Sequence, residues 1–227
     1  MKKKSAEATA EECLVKEILN GNLKAHSMLR PERELAEMLG YSRPVIHKAI
    51  IRLEACGLVT IIPRRGVRVN DYRESGKLGL LESIYNLYRT GISRELNIAM
   101  LKFIQNNLEA ILMAIVDGDQ EKRVECCAIQ EDCSIDSPED VFRWMHSYAL
   151  YCGNPIYPML INEFKIGIIN VGNVVLNGSQ RQEFIKLLRE VNGDLKVGHG
   201  PSLKDKLKAL FIFIEVNWLS YDEKEGD

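Results

Sequence analysis

The sequence predicts a mostly α chain in two parts, three N-terminal helices closed by a β-hairpin and then an all-α helical bundle. Three observations carry this. Between Thr9 and Leu53 apolar residues recur at helical spacing in short runs, punctuated by "NGN" at 20–22 and by Gly40. Strand-like alternation is confined to "LVTIIPRRGVRV", where Val59, Ile61, Val67 and Val69 flank a Pro-Arg-Arg-Gly turn. Beyond residue 77 the spacing is helical, without strand alternation or internal repeat.

The elements follow in order. Cys13, Leu14, Ile18 and Leu19 form the stripe of a first helix from Thr9 to about Asn20. "PERELAEMLG" gives a second, with Pro31 in its first turn, Glu32 and Glu34 at the positive end of the dipole, Leu35, Met38 and Leu39 buried, and a stop at Gly40. Ser42 caps a third, Pro44 is tolerated in its first turn, and Ile46, Ala49, Ile50 and Leu53 face inward before Gly57 ends it. Only Tyr41 and Ser42 separate Gly40 from Arg43, so the second and third helices read as a helix-turn-helix and the hairpin as a wing.

"NDYRESGKLGL" at 70–80 is a polar stretch with two glycines. The expected division is a winged helix-turn-helix over 1–72, a hinge at 73–77 and a helical bundle over 78–227. In the bundle, Leu78, Leu81, Ile84, Tyr85 and Tyr88 make one stripe. "ELNIAMLKFIQNNLEAILMAIVDGD" is a long helix, "SPEDVFRWMHSYALYCGN" starts at a Ser137/Pro138 cap, and "PIYPMLINEFKIGIINVGNVVLNG", "SQRQEFIKLLREVNG" and "SLKDKLKALFIFIEVNWLSY" follow.

Charge and composition restrict function. The 227 residues carry a net charge of −2, are 46% hydrophobic, and contain no run near the 18 or so uninterrupted apolar residues of a membrane span. No apolar segment backs the basic N-terminus, so the expected location is the cytoplasm, with no membrane partner. The six cysteines (13, 56, 126, 127, 133, 152) lack CxxC spacing and read as reduced thiols, with Cys126 and Cys127 the one pair worth a redox test. Residues 1–75 hold 14 Lys/Arg against 10 Asp/Glu, and Tyr41–Asn70 holds six against one, the footprint of a surface that meets phosphates. Arg33, Arg43, Arg64 and Arg65 stand at element tips, where planar guanidinium forks suit phosphates and guanine edges, and Arg43, His47 and Lys48 face outward from the third helix. Catalytic residues are not expected: there is no G-x-S-x-G, no phosphate loop and no Cys-His spacing, and "GHGPS" at 198–202 reads as an interhelical turn.

Residues 8–70, and above all "PERELAEMLGYSRPVIHKAIIRLEACGLVTIIPRRGVRV", resemble the winged-helix domain of the GntR family of bacterial transcriptional regulators. The resemblance implies that Arg33 and Arg43 hold DNA, that Arg65 and Gly66 bring the wing into the minor groove, and that Ser42, Pro44, Val45, His47 and Arg64 complete the interface. Three positions depart from the family pattern: Pro44 and Val45 stand where hydroxyl residues are common, and His47 where an arginine is usual. His47 either makes a single hydrogen bond to a base edge or packs without touching DNA. "VNDYRESGKLGLLESI" and "GNPIYPMLINEFK", with Trp218, are similar to the fatty-acid-responsive, FadR-like branch.

That branch implies a homodimer on a pseudo-palindromic operator and an acyl-CoA or fatty-acid-like effector, with Met100, Met145, Ile168, Phe211, Phe213 and Trp218 as candidate lining; the same stripe also reads as plain core. Many relatives hold a metal through an Asp-x-x-Phe-His element and two later histidines. Here those positions are Val141, Trp144 and Met145, so no metal is expected, with His146 beside Asp140 or Glu139 the only remnant. The expected function is a ligand-responsive, DNA-binding repressor or activator of metabolic genes. The alternatives are a helical ligand-binding or dimerisation protein that has lost specific DNA binding, and a regulator sensing another metabolite.

Overall fold

The computed structural model describes residues 5–87, 94–132, 134–177 and 179–225 and divides into two compact units, Met1–Arg94 and Glu95–Asp227. The segment expected as a hinge lies inside the first.

In that unit, α1 (Ala6–Leu19) begins earlier than its apolar stripe because the Ser5 hydroxyl accepts from the Ala8 N–H at 3.2 Å and caps it. It buries Ala10, Leu14, Val15 and Ile18 against α3. α2 (Glu32–Leu39) starts after Pro31, whose extended ψ of 144° makes it the N-cap and not a first-turn residue. Its buried face is Leu35 and Ala36. Met38, expected inside, is 61% exposed, since two residues on from Ala36 is about 200° round a helix. α3 (Arg43–Ala55) buries the four residues its stripe assigns, Ile46, Ala49, Ile50 and Leu53.

The wing is a two-stranded antiparallel sheet, β1 (Val59–Ile62) with β2 (Gly66–Val69), in register from Val59 opposite Val69 to Ile62 opposite Gly66. The connecting turn closes through Arg65 N–H to Ile62 C=O at 3.0 Å and puts Arg64 in the left-handed region, φ 64°. Residues 26–29, unassigned in sequence, clamp the outer edge of β2: His26 N–H to Val69 C=O, Val69 N–H to Ser27 C=O and Leu29 N–H to Val67 C=O are each 2.8 Å. β2 is thereby bonded on both of its sides.

The glycine-containing linker is anchored. Asp71 caps α4 (Tyr72–Ser75), accepting from the Arg73 N–H at 2.9 Å, and Lys77 N–H donates to Cys56 C=O at 3.0 Å. Gly57 sits at φ +80° with its missing Cβ only 1.9 Å from the Ser75 carbonyl oxygen, so no other residue fits. α5 (Leu80–Leu87) then packs on α1, with the Ser83 hydroxyl donating to Glu11 at 3.2 Å. Ile84 and Tyr85 of the expected stripe are buried and Leu81 half-buried, Leu78 is exposed, and Tyr88 lies outside the described residues.

The second unit is helical in its described residues: α6 (Arg94–Val116), α7 (Gln120–Asp132), α8 (Pro138–Tyr151), α9 (Ile156–Glu163), α10 (Lys165–Val175), α11 (Gln180–Val197) and α12 (Gly200–Glu225). α6 is long and apolar enough to cross a membrane by composition, but Leu108, Ile111 and Leu112 on one face are fully buried in the unit. α7 escaped the sequence reading because its apolar residues are few, and two of them, Val124 and Ile129, are exposed. α8 starts in a capping box between Ser137 and Asp140. The single run foreseen at 155–178 breaks at the buried Phe164 into α9 and α10, and Gly172 lets α10 approach α8 so closely that a Cβ would lie 2.8 Å from Pro138 Cα. Of "GHGPS", left-handed Gly198 ends α11, His199 is the link, and Gly200, Pro201 and Ser202 already form the first turn of α12.

Candidate nucleic-acid interface

Two tight devices rigidly join wing and α3. The Glu54 carboxylate, on the last turn of α3, accepts from the Ile61 N–H of β1 at 2.8 Å. Asn70 donates to Gly57 C=O at 3.1 Å and accepts from the Thr60 hydroxyl at 3.0 Å. Such bonds from side chain to backbone fix the angle between a helix end and the hairpin behind it.

The first turn of α3 begins immediately after the two-residue link, with Ser42 as N-cap in an extended conformation and Arg43, Pro44 and His47 exposed. Ser42 makes no side-chain capping bond, so its hydroxyl remains at the surface. Val45 is half-buried, which leaves it less of a reading face than the sequence suggested. Arg43 and His47 stand one turn apart on one side of α3, and both bond to Glu32, the first residue of α2: Arg43 Nε donates to Oε2 at 3.3 Å, and His47 Nδ1 lies 2.7 Å from Oε1. The His47 hydrogen bond, followed by that of Arg43, holds the Glu32 carboxyl below the usual carboxylate range. The sequence reading did not place Glu32 among the site residues. In sequence it is one of several glutamates at a helix start, and only the packing of α2 on α3 brings it to the recognition turn.

The other basic residues of α3 have different work. Lys48 Nζ pairs with Glu7 at 3.0 Å and Arg52 with Glu11 at 3.1 Å, so this half of α3 is stapled to α1. Lys48, expected to face outward, is exposed, and its ammonium group pairs with α1. Arg33 is 85% exposed and pairs along its own helix with Glu37 at 3.2 Å. At the wing tip Arg64, Arg65 and Gly66 are exposed, and neither arginine has an ion-pair partner among the described residues. The exposed arginine fork at the head of α3 and the two at the wing tip present permanent positive charge on rigid supports, the arrangement a phosphate backbone requires.

In the second unit the six expected effector residues separate. Met145, Ile168 and Phe211 line an apolar cavity with Leu108, Trp144 and Phe184. Met100, Phe213 and Trp218 do not: Met100 and Trp218 are buried elsewhere, and Phe213, two residues round α12 from Phe211, stacks on Phe184 with centroids 6.5 Å apart. The cavity is about 20 Å³, room for one water, against the several hundred Å³ of a ligand pocket. A larger cleft of about 410 Å³ lies between α8 and α11, floored by Trp144 and Leu188 and rimmed by Asp136, Arg181 and Arg189.

Among the described residues no group of three or more His, Cys, Asp or Glu side chains is placed to hold a metal. Asp140 accepts from the Ser137 N–H at 2.7 Å and pairs with Arg143, while His146 stacks on Phe142 at 5.3 Å. Cys126 and Cys127 are fully buried, and burial pushes the Cys126 thiol up to about 12, which removes its reactive thiolate. Cys133 lies outside the described residues.

A helix-turn-helix with an anchored wing, joined in one chain to a helical unit, defines a winged-helix DNA-binding regulator. Residues 6–69 match the family of bacterial regulatory proteins, gntR family. The chain is 28% identical over 186 residues to the fatty acid metabolism regulator protein of Edwardsiella ictaluri, covering 79% of this chain and 76% of that one. It is 26% identical over 214 residues to the protein of that name from Pectobacterium carotovorum, covering 91% and 86%. A solved structure of Lar, said to control expression of the Listeria monocytogenes agr system, aligns with TM-score 0.56 at 18% identity over 97% of this chain and 99% of its own, a likeness of fold. Residues 6–69 thus form a winged-helix domain of the gntR type, and over most of its length the chain is similar to fatty acid metabolism regulator proteins.

Proposed function

We propose that the protein is a sequence-specific, ligand-responsive homodimer that binds a pseudo-palindromic operator in the cytoplasm and controls metabolic genes. The observation that carries this is the joint display of Arg43 and His47 on the first turn of α3 with Arg64 and Arg65 on a wing locked to the same helix. α3 enters the major groove, its N-terminal side chains meet base edges, and the wing arginines reach the neighbouring phosphates and minor groove. Phosphate contacts supply most of the affinity, with steep salt dependence. Arg43→Ala weakens specific binding by about 1–3 kcal/mol, read by fluorescence anisotropy on DNA from upstream of the gene. Unchanged affinity in a folded variant defeats the docking.

For the effector, the similarity to fatty acid metabolism regulators supports an acyl-CoA or fatty-acid-like molecule. The cavity of about 20 Å³ demands that α8, α10 and α12 part before an acyl chain enters. The open cleft at Arg181 and Arg189 favours a second reading, a smaller anionic metabolite. Anisotropy with long-chain acyl-CoA separates them: release of DNA supports the first, indifference the second.

A further inference from the structure

Glu32 stands where a DNA-binding surface gains nothing from a negative charge, yet among the described residues it is the one group bonded to both Arg43 and His47. Its carboxylate is mostly covered, with side-chain exposure of 24%, while His47 is 55% exposed. We propose that Glu32 is a positioning residue that sets the hydrogen-bonding polarity of His47 toward DNA: neutral His47 accepts from an amino edge, adenine N6 or cytosine N4, and acid converts it to a donor that favours guanine. The inference rests on the docking of α3 proposed above.

The argument starts from the 2.7 Å contact. An ionised carboxylate can only accept, so the ring nitrogen facing Glu32, Nδ1, must carry the proton. A neutral imidazole has one N–H, which leaves Nε2 with a lone pair and no proton. Nε2 is the outer end of the ring, and it makes no hydrogen bond among the described residues. In the major groove the amino groups of adenine and cytosine are the donors an acceptor can meet, whereas guanine offers only N7 and O6, both acceptors. Neutral His47 therefore discriminates against guanine at the position it reaches.

Protonation inverts this. With both nitrogens protonated, Nδ1 still donates to Glu32 and Nε2 becomes a donor suited to guanine O6 or N7. Glu32 stays ionised through this change, because its carboxyl titrates below the ordinary range. The groups facing His47 are Glu32 from α2 and Arg43 from the preceding turn of α3; Lys48 is held by Glu7 of α1, and Arg33 by Glu37. The charge of the Glu32, Arg43 and His47 cluster thus moves from zero to +1 on acidification, which also tightens phosphate binding. Arg43, permanently charged and bonded to the other oxygen of Glu32, gives a base or phosphate contact that does not titrate.

The test is selection of full-length protein on a randomised duplex library at pH 8 and pH 5.5 at fixed salt. At one position in each half-site, adenine or cytosine is enriched at pH 8 and guanine at pH 5.5, a change of roughly fivefold or more. His47→Gln, which cannot titrate, gives one preference at both pH values. Glu32→Gln, its fold verified by circular dichroism, weakens the preference at pH 8, because a side-chain amide can donate to Nδ1 as well as accept from it and so admits both tautomers.

Specific binding with the same base preference at both pH values overturns the inference and leaves the docking of α3 intact. So does a folded Glu32→Gln protein with the wild-type preference. Failure to prefer any base at either pH overturns the docking itself, and the inference with it.

Discussion

The two units treat their polar and apolar groups in opposite ways. In the first, what matters is displayed: Arg43, His47, Arg64 and Arg65 are exposed, and buried or half-buried groups such as Glu54 and Asn70 serve to aim them. In the second, the candidate ligand residues Met145, Ile168 and Phe211 are closed over a cavity of about 20 Å³. A polar link runs behind them, the Tyr148 hydroxyl donating to Asn192 at 2.8 Å and Asn192 donating to the Cys127 carbonyl at 3.3 Å. The difference teaches that a recognition surface depends on where side chains stand, while a sensing pocket depends on how much volume packing leaves. Surface display tolerates substitution of its own residues; a sealed core does not.

The strongest way to break this contrast is in the sealed unit. Phe211→Ala is expected to cost about 3–5 kcal/mol in urea denaturation and to enlarge the cavity enough for a small apolar molecule such as benzene. A cost under about 1 kcal/mol means that α12 collapses onto α8 and the core is not tightly filled.

In the first unit the next largest effect is at the buried joint between α3 and α4. Gly57→Ala adds a Cβ 1.9 Å from a backbone oxygen at a positive φ, and is expected to destabilise the wing unit by at least about 2 kcal/mol, read as a lower thermal midpoint. A wild-type midpoint means that residues 75–77 are free to move away, as a hinge would.

The wing tip sharpens the contrast from the other side. Arg65→Ala should leave stability within about 0.5 kcal/mol while lowering the slope of log K against log salt by about 1. A falling melting temperature with an unchanged slope makes Arg65 a structural residue. The smallest effect is expected at Lys48→Ala, less than about 1 kcal/mol of stability for an exposed ion pair, with no change in the salt slope. A reduced slope there extends the DNA-facing surface down α3 and breaks the division between its two halves.

Much of the winged unit was legible because its signals are local. Gly40 ends α2 in a left-handed conformation, and Ile46, Ala49, Ile50 and Leu53 assign the inner face of α3 at a period any helix must obey. The Pro-Arg-Arg-Gly turn marks the wing. What escaped was long-range: the clamp from residues 26–29 to β2, the anchoring of Lys77 to Cys56, and the polar helix α7, whose fixed place comes from packing on α8 and α11.

At the site the same line divides success from failure. Arg43, Arg64 and Arg65 were readable as exposed cations at element tips and His47 as an outward side chain, but the sequence could not separate Lys48 and Arg52, which answer to Glu7 and Glu11 some forty residues earlier. Nor could it separate Met145 from Phe213 as cavity lining, since both lie in apolar helical stripes and only the phase of neighbouring helices decides which faces the gap.

By itself, then, the sequence determined the order of elements, the turn types and the faces of the short helices, because these follow from backbone geometry and from contacts within one or two turns. Only the tertiary structure decided the charge partners of α3, the contact of Glu32 with Arg43 and His47 and the closure of the helical core. Those depend on distances between residues far apart in the chain, and periodicity carries no information about them.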